Sequence, residues 1–265
     1  MHKKVVVVMS YYKREYQLKK TLLSIGKSEY NDFAVVVVDD NSEDGLVMPE
    51  TDYQCDLITI GKEEKTWKDS SPAHNKGIIE ALKRYKPEVV IIQNPECIHI
   101  GDVISYTAEH INNYNYTPFK CLSLDDKTTF DETIDLVSIT ETIKHGASKN
   151  GDLAWYNHPV YRPCNLDFAC AISADNLIAL NGYDERFMYG YAYGDNYWKY
   201  RIELMGLKFE VPDKPIVAHQ WHFYPWYDQM VTPQLGNVNH DLYQRLITEG
   251  RMKAEHIITP DFDTI

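Results

Sequence analysis

Lys4-Val5-Val6-Val7-Val8-Met9-Ser10-Tyr11-Tyr12-Lys13-Arg14, followed by Phe33-Ala34-Val35-Val36-Val37-Val38-Asp39-Asp40-Asn41-Ser42, is the pair of stretches on which the reading of the fold turns. Each is a continuous apolar run that ends abruptly in polar groups, the pattern of a parallel strand buried on both faces. Between them Leu18, Leu22 and Ile25 recur at helical spacing and Gly26 supplies a stop, so the region predicts strand, helix, strand. Ligands of open α/β sheets bind outside the carboxyl ends of parallel strands, so Tyr11, Asp39 and Asp40 are expected together on one rim.

The alternation continues. Asp56 to Ile60 reads as a third strand, and Pro72-Ala73-His74-Asn75-Lys76-Gly77 opens a helix whose stripe is Ile78, Ile79, Leu82 and Tyr85, ending before Pro87. Glu88 to Ile92 is a fourth strand, ending in Gln93-Asn94-Pro95-Glu96, and a helix follows from about Asp102 to Asn113. From Asn112 to Tyr161 a strand at Phe119 to Ser123 precedes an acidic stretch, a helix and a Gly/Ser/Asn-rich turn; an insert this long reads as an active-site loop or a surface excursion. Phe168 to Ser173 is again a strand, followed by a short helix to Leu180 and the turn Asn181-Gly182-Tyr183-Asp184-Glu185-Arg186-Phe187. Asp195 opens a helix carrying Trp198, Ile202 and Met205. Short strands at Phe209 to Pro212 and Ile216 to Ala218 then lead into His219-Gln220-Trp221-His222.

A chain of 265 residues can bury a large single core. Its net charge of -12 sets an average field that repels a phosphate backbone, which excludes nucleic acid as a partner. Five cysteines with no Cys-x-x-Cys pair point to a reduced, cytoplasmic protein with small core thiols. Neither a signal peptide nor a transmembrane segment is expected, so any contact with a membrane is peripheral. Twenty tyrosines and five tryptophans are a heavy aromatic load, of the kind that covers the apolar side of a sugar ring or packs a core.

At the two strand ends the chain resembles the family-2-type glycosyltransferases of the GT-A fold, whose first strand ends in a Thr-Tyr-Asn-Arg-like turn and whose second ends in Val-Asp-Asp-Gly/Asn-Ser. The later Asn75-x-Gly77 occurs in the same order. The resemblance runs from about Lys4 to His222 and implies an α/β, Rossmann-like fold: a mixed, mostly parallel sheet flanked by helices in one domain. That domain would span 1–224, with a nucleotide-binding half at about 1–115 and an acceptor half at about 116–224; residues 225–265 would be a C-terminal extension packing on it.

The resemblance also implies roles. Tyr11, after Ser10, would stack on a nucleobase. Asp40, beside Asp39, would accept from the uracil ring N–H, an imide proton that a carboxylate can take. His74 and Asn75 would lie near the diphosphate, where His74 helps by charge only if protonated or assisted by a helix N-terminus. The family's Asn after the tyrosine is Tyr12 here. The usual Asp-x-Asp of the fourth strand is replaced by Gln93-Asn94-Pro95-Glu96, which leaves Glu96 as the one metal-binding carboxylate; Asn94 or Gln93 could assist through an amide oxygen, and His99 is a structural candidate. By analogy with the polypeptide N-acetylgalactosaminyltransferases, the later of two downstream histidines, His222 rather than His219, would join it on Mn²⁺ or Mg²⁺. Asp195, after a Gly-Phe-Asp-Glu-x-Phe-like turn, would be the base of an inverting transfer, and could equally cap its helix. Trp155, Asp184, Tyr191 and Tyr193 would meet the acceptor.

The implied activity is transfer of a sugar from a nucleotide sugar, UDP-linked by the Asp40 reading, to a hydroxyl of a glycan, glycolipid or glycoprotein. Two rivals share the fold: a metal-independent transferase in which Lys or His replaces the cation, and a non-catalytic sugar-nucleotide or glycan-binding module. A nucleotidyltransferase is disfavoured, because no Gly-rich, Arg/Lys-bearing loop follows the first strand.

Overall fold

The two valine-rich runs become β1 (Val5–Tyr11) and β2 (Phe33–Asp39), a parallel pair at the heart of the main sheet, joined through α1 (Glu15–Ile25). The computed structural model describes residues 1–42, 45–146, 151–223 and 233–265. Residues 147–150 of the Gly/Ser/Asn-rich turn and 225–232 of the C-terminal extension lie outside the described residues. In chain order β3 (Cys55–Thr59), α2 (Ser71–Tyr85), β4 (Val89–Gln93), β5 (Cys97–Ile100), α3 (Val103–His110), β6 (Asn115–Pro118) and β7 (Cys121–Ser123) follow. Then come α4 (Asp126–Phe130), α5 (Leu136–Thr142), β8 (Ala154–Tyr156), β9 (Ala169–Ser173), α6 (Ala174–Leu180), α7 (Gly194–Met205), β10 (Lys208–Phe209), β11 (Ile216–His219) and α8 (Pro233–Glu249).

The main sheet has seven strands in the order β10-β6-β9-β4-β1-β2-β3. The block β4-β1-β2-β3 is wholly parallel, β9 runs antiparallel between β4 and β6, and β10 is parallel to β6. Every residue of β1 and β2 is buried, which explains why neither shows polar alternation. Val6, Val8, Val36 and Val38 face a core built from α2, α6 and α7; Val5, Val7, Met9, Val35 and Val37 face one built from α1 and α3. Each such valine contributes roughly 1.5–3 kcal/mol by leaving water.

A second sheet, β5-β11-β7-β8, was not foreseen as a unit. The strand expected over Phe119 to Ser123 is β7 of the small sheet, and just before it stands β6 of the main sheet, which was not expected, so the chain changes sheets at Phe119-Lys120. Strands of three or four residues such as β5, β7 and β8 are too short to carry a periodic signal of their own. The antiparallel register of β5 with β11 sets His219 opposite Cys97, and this positions the candidate site.

Two residues of the Asn75-x-Gly77 motif are explained by packing. Gly77 lies where α2 presses on the sheet: a Cβ there would come within 2.6 Å of Val8 Cγ1 and 2.8 Å of Val38 Cγ2. Asn75 is fully buried; its Nδ2 donates to the Tyr183 carbonyl (2.9 Å) and to Glu185 Oε1 (3.1 Å), and its Oδ1 accepts from the Tyr183 N–H (2.8 Å). Glu185 in turn accepts from the backbone N–H groups of Ile257 (2.7 Å), Ile258 (2.5 Å) and Thr259 (3.2 Å), and Phe262 enters the main core. Asn75 therefore ties α2 to the Gly182–Glu185 turn, and that turn ties down the end of the chain.

Gly77→Ala should destabilise the protein by about 1–3 kcal/mol through overpacking, despite alanine's better helix propensity. Asn75→Ala should cost about 2–3 kcal/mol by leaving buried backbone groups unpaired. Urea unfolding curves check both, and an unchanged midpoint for either variant would contradict this account of the interface.

Candidate active site

The carboxyl ends of β1, β2, β3 and β4 open on one rim, as expected for an open parallel sheet. Glu96 ends the short turn after β4 and immediately precedes β5. Because β11 pairs antiparallel with β5, its end arrives beside that turn: the Gln220 N–H and Nε2 both bond the Glu96 carbonyl, at 3.0 and 3.1 Å. His219 and His222 are thereby carried to the Glu96 carboxylate. His219 Nε2 lies 3.0 Å and His222 Nε2 3.3 Å from Glu96 Oε1, and all three side chains are buried. From the other side, at the end of β1, Arg14 Nη1 donates to both Glu96 oxygens at 2.8 Å.

This donor set fits a divalent cation. Ligands at about 2.0–2.2 Å from one ion and roughly at right angles stand near 3 Å apart, which is the observed spacing. One carboxylate with two imidazoles suits Mn²⁺, Zn²⁺ or Fe²⁺ better than Mg²⁺, which prefers oxygen. The hydrogen bonding of His222 agrees: Nδ1 lies 2.9 Å from the Phe223 carbonyl, which only accepts, so Nδ1 carries a proton and Nε2 is the nitrogen aimed at Glu96. Burial alone would raise the Glu96 pKa, but Arg14 and the two histidines outweigh it and hold the carboxyl well below the usual range. Burial lowers that of His219, with Glu96 opposing. His222 was expected as the ligand in preference to His219; the structure brings both.

Asp195 opens α7, its Oδ1 accepting from the Asn196 N–H at 2.8 Å. Burial raises its pKa, and its charge helps raise those of Asp69 and Asp167, with Asp167 pushed up to about 7, chiefly by burial. Asp167 is held by the Tyr183 hydroxyl at 2.5 Å, and Asp69 by the Ser71 hydroxyl and N–H. Burial raises the Tyr191 pKa, and Asp69, Arg14 and Asp195 lie near enough to act on it as well.

At the end of β2, Asp40 is 4% exposed and bonded at both oxygens, Oδ1 by the Trp67 indole N–H at 2.9 Å and Oδ2 by Lys65 Nζ at 2.5 Å. Burial raises its pKa and Lys65 opposes the rise. A carboxylate has about four lone-pair sites, so capacity for a ligand donor remains. Asp39 Oδ1 accepts from the Ser42 N–H (2.9 Å), whereas its buried Oδ2 has no hydrogen-bond partner among the described residues. Tyr12, 36% exposed, is the open ring here, with Lys13 and Lys65 ammonium groups 5.3 and 5.2 Å from its centroid.

Several expected site residues have other work. Tyr11 is only 3% exposed and packs with Met9 and Val37, because it continues the inward face of β1; Ser10 is also buried. His74 is buried against Tyr183, and desolvation lowers its pKa to about 4, so it is neutral at pH 7 and brings no charge to a diphosphate. Asn75 has its polar groups committed to the Tyr183–Glu185 clamp rather than to a nucleotide. Asp184 is taken by Arg186, at 2.9 and 2.7 Å, and by the Glu255 N–H, which leaves no acceptor role. Trp155, 3% exposed in β8, donates its indole N–H to the Ile143 carbonyl and is core. Tyr193 stands at the start of α7 with its ring against Tyr243 and His240. Gln93 bonds His99 and the Cys97 carbonyl, which makes His99 structural. Lys65, Trp67, Asp69 and Asp167 lay in no motif, and Arg14 stands one residue beyond the arginine position of the Thr-Tyr-Asn-Arg-like turn, which Lys13 occupies.

Among the described residues, no helix is long and apolar enough to cross a membrane. Residues 6–122 match the sequence profile of the family Glycosyl transferase family 2. No curated protein matches the chain by sequence. Among solved structures, S. aureus TarS 1-349 aligns with a TM-score of 0.59 at 15% identity, covering 96% of this chain and 67% of TarS 1-349. The same protein in complex with UDP-GlcNAc gives 0.60 at 14% identity, over 96% and 68%. Against the S. aureus TarS structure that is not confined to 1-349 the values are 0.52 and 13%, over 94% of this chain and 44% of that one. The family match over residues 6–122 and the shared architecture across the chain show a GT-A fold whose N-terminal part is similar to glycosyl transferase family 2.

Proposed function

We propose that this protein transfers a sugar from a UDP-sugar to a hydroxyl group of a glycan or glycoconjugate acceptor, with inversion at the anomeric carbon. The observation that carries the reading is the buried Glu96–His219–His222 donor set brought together where β5 and β11 meet, with the raised carboxyl of Asp195 as the candidate base. The UDP-GlcNAc bound by the structurally similar TarS favours a uridine donor. In this chain Asp40, braced by Lys65 and Trp67, would accept from the uracil N–H, and the Tyr12 ring would flank the base. Lys65, Lys13 and Arg14 supply positive charge around the diphosphate, a task that neutral His74 cannot perform.

Glu96, His219 and His222 would hold a divalent cation, whose chemistry is to offset the charge that builds on the departing diphosphate. Asp195 would take the acceptor's hydroxyl proton as that oxygen attacks the anomeric carbon from the side opposite the leaving group. A carboxyl raised by burial is a stronger base than an exposed one once ionised, which suits this role. Arg14, a cation already seated on Glu96, supports a second reading in which transfer proceeds without metal; activity that survives exhaustive chelation would select it.

Three measurements follow. Asp195→Asn should lower kcat by a factor of about 10² to 10⁴ while leaving the UDP dissociation constant within about twofold; equal losses in both would remove Asp195 from the chemistry. Glu96→Gln should abolish the extra thermal stabilisation that Mn²⁺ gives the UDP complex, read by melting with and without the ion. The pH profile provides the third. Asp195 must be ionised to act and its pKa is raised, so kcat/KM should climb with pH through a midpoint above the ordinary carboxylate range. Because the Asp195 charge adds to the burial that raises Asp167, Asp195→Asn should move the Asp167 titration, followed by NMR, to lower pH; a midpoint that stays in place would separate the two groups.

A further inference from the structure

The Arg14 guanidinium occupies the carboxylate that the proposed cation would need. Its Nη1 reaches both Glu96 oxygens at 2.8 Å, and Glu96 has only 1% of its side chain exposed, so in this arrangement the buried charge is already compensated. A dication placed among Glu96, His219 and His222 would stand beside that guanidinium and be repelled by it. Arg14 itself is not locked into the helix it precedes: it stands at the N-cap of α1 without a side-chain capping bond, and a quarter of its side chain is exposed. One kind of ligand attracts both cations. A diphosphate offers oxygens to the planar guanidinium fork and further oxygens to a metal ion.

We infer that Arg14 is a built-in competitor of the divalent cation at Glu96, so that metal binds weakly to the free protein and tightly only when a nucleoside diphosphate draws the guanidinium away. The inference rests on the metal reading of the site given above. It makes Arg14 a positioning residue with two states, on Glu96 without ligand and on the diphosphate with it. By linkage, nucleotide strengthens metal binding by the same factor as metal strengthens nucleotide binding.

Mn²⁺ titrations of the full chain, followed by the electron paramagnetic resonance signal of free Mn²⁺ with and without UDP, test this directly. For the natural sequence UDP should tighten Mn²⁺ binding by about tenfold or more. Arg14→Gln should bind Mn²⁺ about tenfold more tightly without UDP, lose most of the UDP enhancement, and bind UDP more weakly in the absence of metal. Arg14→Lys, which keeps the charge but not the fork, should fall between them and carries the comparison should Arg14→Gln not fold. If both variants bind Mn²⁺ no more tightly than the natural sequence, or if UDP enhances binding equally in all three, the inference is overturned while the metal site stands. If no form binds Mn²⁺ even with UDP, or if Glu96→Gln binds it as well as the natural sequence, the metal reading falls and the inference with it.

Discussion

A carboxylate removed from water must be compensated, and Glu96 meets that requirement with groups drawn from both ends of the fold. Arg14 arrives from the end of β1, and His219 and His222 from the end of β11. An uncompensated ion at this depth would cost several kcal/mol, so strand register, sheet switching and the order of the small sheet are all constrained by this one group. The pairing of β5 with β11 is the structural expression of that constraint, because it holds His219 opposite Cys97 and the Gln220 amide on the Glu96 carbonyl.

The cleft is electrostatically divided. On one side Arg14 and the histidines keep Glu96 ionised; on the other, burial favours proton uptake by Asp195, Asp167 and Asp69, and the Asp195 charge adds to the rise at the other two. Carboxyl groups whose environments drive their pKa values in opposite directions are suited to different tasks, one as a permanent anion facing cations and one as a proton acceptor.

Motif residues in this chain serve folding as often as chemistry. Gly77 permits the close approach of α2 to Val8 and Val38, and Asn75 bonds the turn that receives the C-terminal segment through Glu185. Asp184 and Trp155 likewise stabilise the frame, through Arg186 and the Ile143 carbonyl. A family pattern preserves residues for either reason, and only their partners distinguish the two.

The valine runs, their polar ends and the helical stripe between them determined the parallel core and the rim on which a ligand would sit, because burial on both faces leaves a local pattern that composition alone can carry. The family resemblance, not that pattern, singled out Asp40, Glu96, His222 and Asp195 as candidates, each near the end of an element or after a matching turn. Tertiary structure decided what those residues face. Arg14 and Glu96 are 82 positions apart, and the pairing of β5 with β11 that delivers His219 rests on strands of four residues, too short to announce themselves. Burial decided the remainder: His74 lost its charge and Tyr11 its exposure, since solvation depends on what the rest of the chain lays over a residue and not on its neighbours in sequence.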